Sequence, residues 1–377
     1  MIRVLHVSGT LNVGGAESRL LELLRHLDPK RFEFSFATFD AAGGALADEV
    51  RSLGGRLVHL PHSPLPPVFE RRLHAAIRAG RFEVVHSHIH YASGLVMRAA
   101  RRAGVPTRVV HVRTTSDLAR QTPLRPLYRS WMRSLMSKHA TEIIGVCEAA
   151  LQGLFGNNWS DDERCRVLYN GFHVTRAEAS HRKACRDEVR NELGLAPNSP
   201  VAITVARLEP VKNHPFLLQV ARAVASRRPD FRWLFVGGGA ERTKLERAAQ
   251  ALGVAQNVRF LGQRRDVPRL LACADAFVLG SLHEGLPGAV VEGLFAGLPA
   301  VSTDLPGVRE IAALCGGVEV APFDVEAFAR RVIECMTGRA GSPLDEAALY
   351  ESFGFEAYLR TIEALYAKRA GGQRDAA

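Results

Sequence analysis

The sequence predicts an α/β chain of two parallel-sheet domains, and three observations carry that prediction. Short apolar runs alternate with segments of helical spacing along all 377 residues. Runs such as VVHVR and LFVGG are apolar without strict alternation, as strands buried on both faces are. A polar stretch, TRAEASHRKACRDEVRNELGL, separates two such series. Alternation of this kind builds parallel sheets covered by helices.

The elements follow in order. The first series of strands is RVLHVSG, FEFSFATF, RLVHLP, FEVVHSH, TRVVHVR and TEIIGVC. YNGFHV reads as a further strand end, and a linker is placed near Gly171–Arg176. The second series is VAITVAR, RWLFVGG, VRFLG, AFVLGS and PAVST. Helical spacing marks Glu17–Leu27 and Asn213–Arg228. The boundaries expected are 1–172 for the first domain and 173–354 for the second, with a last helix at about 355–370 packing back on the first. The end, Gly371–Ala377, reads as a frayed tail.

Composition narrows the class. Hydrophobic content of 47% and charged content of 23% describe a globular enzyme, not a disordered chain. The 6 cysteines are scattered, without CxxC pairs or zinc spacing, and read as reduced thiols in the cytoplasm. MIRVLHVS reads as a strand rather than a signal peptide, and no apolar run reaches the roughly 18 residues of a membrane span. The net charge of +10 is concentrated. Between Met97 and His139 stand Arg98, Arg101, Arg102, Arg108, Arg113, Arg120, Arg125, Arg129, Arg133 and Lys138 against Asp117 alone. Such a patch suits a polyanion or an anionic membrane surface. Aromatic residues are not interleaved with the charges, so nucleic acid is the poorer partner.

In open α/β sheets, ligands bind beyond the carboxyl ends of strands, and five groups of residues fall there. Gly14 and Gly15 follow the first strand and open a helix, where unpaired N–H groups can meet an anion. An ordinary strand-to-helix turn explains them equally. Arg207 and Lys212 follow the first strand of the second domain and can clamp a diphosphate. Two solvated surface cations are the plain alternative. Gly237 and Gly239 follow the next strand and are expected among the donor-binding residues; a dinucleotide turn is discounted because GxGxxG is absent, and close packing remains open. HEGLPGAVVEG places Glu284 in a turn and Glu292 in the helix after it, with Pro287 suiting the first helical turn and Gly297 stopping the helix. Glu292 can accept two hydrogen bonds from the vicinal hydroxyls of a ribose, and Glu284 can meet a sugar ring. A salt-bridged role would need a cation this stretch lacks. His86, His88, His90 and His111 end strands in the first domain. With no acidic ligand beside them, a metal is not expected. His111 could orient a hydroxyl or move a proton, while packing explains His86 and His88 at least as well.

With these residues in view, the chain resembles the family 4 retaining glycosyltransferases of the GT-B fold, and within them the exopolysaccharide and capsule biosynthesis type. The landmarks span nearly the whole chain: VSGTLNVGGAE, VVHSH, TRVVH, LFG followed by VLYNGF, ARLEPVKNHPFLL, FVGGGAER, NVRFLGQRRDVPRLLACADAFVLGS, HEGLPGAVVEG and AGLPAVST. The resemblance implies two Rossmann-like domains facing across a cleft. It implies that Glu292 binds the ribose of a UDP- or GDP-type sugar donor and Glu284 the transferred sugar, with Gly285, Leu286 and Pro287 beside it. Arg207 and Lys212 would hold the diphosphate, Gly14 and Gly15 would approach it, and Leu261, Gly262 and Gln263 would read the base through the backbone. His111 matches the family's active-site histidine. The implied reaction is a same-face displacement with retention, without metal or cofactor, the nucleotide-sugar being a co-substrate. The acceptor would be a glycan or a lipid-linked glycan.

Gly280, Gly293, Pro306-Gly307 and Arg113 depart from the family pattern. In the basic segment, PLRPLYRSWMRSLMSKH sets Leu127, Trp131 and Leu135 on one helical face and Arg129 and Arg133 on another. Such a helix can lie on the cytoplasmic face of a membrane, or simply pack on the first domain. A sugar-nucleotide epimerase of similar fold and an inactive carbohydrate-binding protein are the alternative functions.

Overall fold

The computed structural model describes residues 1–12, 14–61, 63, 65–116, 122–173, 179–339 and 342–370. The expected tail at 371–377, the linker residues 174–176, Asp117 and Arg120 lie outside them. The chain divides into two units, Met1–His173 with the segment from Phe355, and Val174–Gly354.

In the first unit β1 (Ile2–Gly9), β2 (Phe32–Thr38), β3 (Arg56–His59), β4 (Val84–Ser87), β5 (Thr107–Val112), β6 (Glu142–Gly145) and β7 (Cys165–Val167) form a 7-stranded sheet of order β3-β2-β1-β4-β5-β6-β7. Every pairing is parallel. The order reverses between β1 and β4, the switch point at which such sheets bind ligands. β4 is buried throughout and β1 over most of its length, which accounts for apolar residues that do not alternate strictly with polar ones. The helix Phe355–Ala370 contributes Phe355, Tyr358, Ile362, Leu365 and Tyr366 to this unit's core, beside Val4, Phe34, Val84 and Val109.

In the second unit β8 (Val201–Val205), β9 (Arg232–Val236), β10 (Val258–Gly262), β11 (Ala276–Leu279), β12 (Ala300–Thr303) and β13 (Val318–Ala321) form a 6-stranded sheet of order β10-β9-β8-β11-β12-β13. The switch point lies between β8 and β11. Trp233, Phe235, Phe277 and Phe328, all fully buried, fill its core.

The sequence reading misses β13 and misplaces β7. Both are short edge strands, and neither is an unbroken apolar run: Arg166 interrupts β7 and Glu319 interrupts β13. Tyr169–His173 are loop and bridge rather than a strand end, because the strand has already finished at Val167; Val174 lies outside the described residues. Pro287 is the N-cap of helix Gly288–Phe295, not a residue of its first turn. Gly297 does stop that helix, at φ +79°. In helix Arg125–His139, Leu135 is buried with Met132 and Met136. Leu127 and Trp131 stay 69% and 40% exposed, so the side of the helix that these three share by spacing is buried only at its Leu135 end. Among the described residues no helix is long and apolar enough to cross a membrane.

Candidate functional site

The second unit gathers its motifs at the carboxyl ends of β8 to β11. After β8 the chain turns through Pro210–Lys212, and the Leu282 N–H donates to the Val211 carbonyl at 2.8 Å. That bond ties the loop after β8 to the loop after β11 across the switch point. Lys212 Nζ then donates to Glu284 Oε1 at 2.6 Å, and Ser281 Oγ donates to the same oxygen at 2.7 Å. The cation that the HEGLPG stretch lacks therefore arrives from 72 residues away. Both side chains are less than a fifth exposed, so their attraction is only partly screened. Arg207 is more open and pairs with Glu209. Glu292 is partly buried at the fifth position of its helix.

The glycines act through packing. Gly237 and Gly239 have φ of +147° and +157°, and a Cβ on them would lie 2.0 Å from the Ala206 carbonyl oxygen and 2.3 Å from that of Leu208. They let the β9 loop press on the very loop that carries Arg207. Gly237 N–H donates to the Gly262 carbonyl at 2.8 Å, which brings Leu261, Gly262 and exposed Gln263 alongside. Gly307 starts helix Pro306–Cys315 against the turn after β11: its Cβ would stand 2.0 Å from the Gly285 oxygen. Leu286 and Pro287 are buried in that turn. Two departures from the family pattern also have local reasons. Leu217 fills the space a side chain at Gly280 would need, and Phe277 the space beside Gly293. In the first unit, Gly14 caps helix Gly15–His26 with extended backbone, and Glu17 folds over it; Gly15 has open space around it. Neither needs to be glycine for its own backbone angle.

His111 is the penultimate residue of β5 and is fully buried. It belongs to a chain of rings that the sequence reading did not assemble. Arg113 Nε donates to His88 Nδ1 at 3.0 Å, and His88 Nε2 meets His6 Nδ1 at 3.0 Å. Tyr366 Oη lies 3.4 Å from His6 Nε2 and 2.7 Å from His86 Nδ1. His86 Nε2 lies 3.1 Å from His111 Nδ1. Burial, then the positive charge of Arg113, holds the His6 imidazole down at about 3. Burial first, and then the neighbouring rings and Arg113, hold His86, His88 and His111 well below the ordinary histidine range. The rings are neutral at physiological pH. Arg113 is itself lowered by burial, with Tyr358 and Glu17 opposing, and it also donates to Asn170 Oδ1 at 3.0 Å.

His6 and Tyr366 escaped the sequence reading. The signal for His6 was a lone imidazole inside the apolar run RVLHVSG, in direct register with His86 across β1 and β4. Nothing in the sequence pointed to Tyr366, which arrives from a helix 280 residues beyond His86. Ligand nitrogens of His6, His86 and His88 lie within 4.8 Å of one another, close enough for a metal. Those nitrogens are engaged with one another, with Tyr366, with His111 and with a guanidinium. A cation would have to displace these bonds and sit beside Arg113, so the donor set does not fit one.

Comparison with known proteins agrees with this architecture. Residues 14–171 match the glycosyl transferase 4-like domain, and residues 186–352 match glycosyl transferases group 1. A putative glycosyltransferase EpsF of Bacillus subtilis is 34% identical over 305 residues, covering 80% of this chain and 79% of that protein. The capsular polysaccharide biosynthesis glycosyltransferase CapH of Staphylococcus aureus is 26% identical, covering 82% and 84%. The crystal structure of Anabaena Alr3699/HepE in complex with UDP and glucose superposes with a TM-score of 0.79 at 20% identity, over 97% of this chain and 100% of that one. Two switch-point sheets, the Lys212–Glu284 junction and these matches together place the chain among the family 4 glycosyltransferases of the GT-B fold.

Proposed function

We propose that this glycosyltransferase is a retaining, metal-independent enzyme of surface polysaccharide biosynthesis. It moves a sugar from a UDP- or GDP-type donor to a glycan or lipid-linked acceptor. The observation that carries the reading is the Lys212–Glu284 contact of 2.6 Å at the second unit's switch point. It sets a cation and a carboxylate side by side where an open α/β sheet takes its ligand. Lys212 keeps further N–H donors for a diphosphate while Glu284 holds its position. Arg207 adds a planar fork for the same group. Glu284 then faces the transferred sugar, Glu292 the ribose, and the backbone of Leu261–Gln263 the base. As the sugar–phosphate bond lengthens, negative charge grows on the departing diphosphate, and fixed cations stabilise that state more than the ground state. The relative named for capsular polysaccharide biosynthesis and the neighbour holding UDP and glucose support the substrate classes.

Peripheral attachment to the cytoplasmic face of a membrane is part of the proposal. Leu124, Leu127 and Trp131 are 72%, 69% and 40% exposed on or beside the helix that carries Arg125, Arg129 and Arg133. Exposed apolar side chains among cations suit an anionic interface.

The test is release of nucleoside diphosphate from a nucleotide sugar with and without a diphosphate-linked lipid acceptor. Acceptor-dependent release, lost in Lys212→Ala and Glu292→Ala, is the expected result. Turnover of donor without acceptor would favour the epimerase, and absence of both would favour an inactive binding protein. Unchanged release in both variants would end the assignment of these residues.

A further inference from the structure

Six groups of the first unit form one hydrogen-bonded chain, and its direction follows from its first member. A guanidinium can only donate. Arg113 Nε therefore makes His88 Nδ1 an acceptor at 3.0 Å. A neutral imidazole with Nδ1 accepting carries its proton on Nε2, so His88 donates to His6 Nδ1 at 3.0 Å. His6 then carries its proton on Nε2 and points it at the Tyr366 oxygen, 3.4 Å away. Tyr366 is left to donate its own proton to His86 Nδ1 at 2.7 Å, a length ordinary for an O–H donor. His86 donates from Nε2 to His111 Nδ1 at 3.1 Å. His111 thus keeps its proton on Nε2. That nitrogen is buried and has no hydrogen-bond partner among the described residues.

We propose that Arg113 is a positioning residue that fixes the tautomer of His111 through this chain, so that His111 presents an N–H donor to an oxygen of its ligand and does not accept a proton. A buried, unpartnered donor is costly unless something receives it. The acceptor is an oxygen-bearing group, a sugar hydroxyl or a phosphate oxygen; naming those two rests on the proposed function, whereas the tautomer does not. A buried Nε2 also means that the ligand reaches His111 only after a local rearrangement of its surroundings. A neutral ring at position 113 could accept as well as donate, and the direction would no longer be imposed.

The test uses the full chain labelled with ¹⁵N-histidine, with long-range ¹H–¹⁵N correlation spectra at neutral pH and no sugar donor. The His111 signals are assigned by their loss in His111→Gln. All four rings are expected protonated on Nε2. Arg113→Met should release the order of the whole chain, with His111 gaining population protonated on Nδ1. Tyr366→Phe should do so only downstream, moving His86 and His111 and leaving His6 and His88 as they were. A role in packing alone would not produce that division. His111 protonated on Nδ1 in the native chain overturns the proposal, and this holds even if a variant fails to fold. An unchanged His111 in either variant overturns it as well. Because the spectra need no turnover, an absence of sugar transfer would leave this result standing, and the reverse is also true.

Discussion

Acid should unfold the first unit before the second. Lowering pH from 7 to 5 protonates a histidine in the unfolded chain but not the neutral rings of His6, His86 and His111. Their folded values lie below the unfolded value, at about 3 for His6. The unfolded state therefore binds more protons in this window, and stability falls as pH falls through about 6.5. The loss continues down to the folded values. His6 contributes about 2 kcal/mol of loss between pH 7 and 5, and His86, His111 and partly buried His88 act in the same direction. These losses fall on one core, against a whole-domain stability of only ~5–15 kcal/mol. In the second unit His214, lowered to about 4, is the one ring with a resolved shift among the described residues and loses about 2 kcal/mol. Hydrogen exchange read by mass spectrometry, with rates referred to the intrinsic rate at each pH, separates the units. Protection of β1, β4 and β5 should collapse at pH 5 while β8, β9 and β11 hold. Equal loss in both units, or unchanged protection in β1 and β4, would refute the neutral-cluster reasoning.

Other outcomes follow from single contacts. Gly293→Ala gains about 1 kcal/mol of helix propensity, yet its Cβ would meet buried Phe277 at 2.8 Å. Overpacking of about 1–3 kcal/mol wins, so the urea midpoint should fall; a rise would show that Phe277 moves freely. Gly307→Ala must push the turn at Gly285, and nucleoside diphosphate affinity by calorimetry should weaken at least tenfold. Unchanged affinity would separate that turn from the donor site. Glu284→Gln should leave diphosphate binding within a few-fold while lowering transfer about a hundredfold or more. Lost binding with unchanged turnover would reverse the roles given to Lys212 and Glu284.

Much of the fold was legible because parallel strands buried on both faces are mostly apolar without strict alternation, and β1, β4, β8 and β11 announce themselves in that way. β7 and β13 do not, since each is short and a charged residue, Arg166 or Glu319, breaks its apolar run, which is why they were misread or missed. The candidate site was legible where chemistry lies in one short stretch, as with Glu284 and Glu292. It was opaque where the fold joins distant residues. Lys212 reaches Glu284, and Tyr366 reaches His86, through the order of strands and the docking of a terminal helix, neither of which leaves a local spacing to read. Gly237 and Gly239 answer a need that the sequence pattern does not display: close approach to the backbone of Ala206 and Leu208 requires glycine there, whatever ligand the turn meets.

The most direct test of the donor site is thermal stability against UDP, GDP, ADP, dTDP and NAD. A ligand specific to the folded state, at a hundred times its dissociation constant, stabilises by about 2.7 kcal/mol. The account predicts a rise with one nucleoside diphosphate, UDP or GDP, that is lost in Glu292→Ala. No rise with any of them, or a rise with NAD alone, would contradict it.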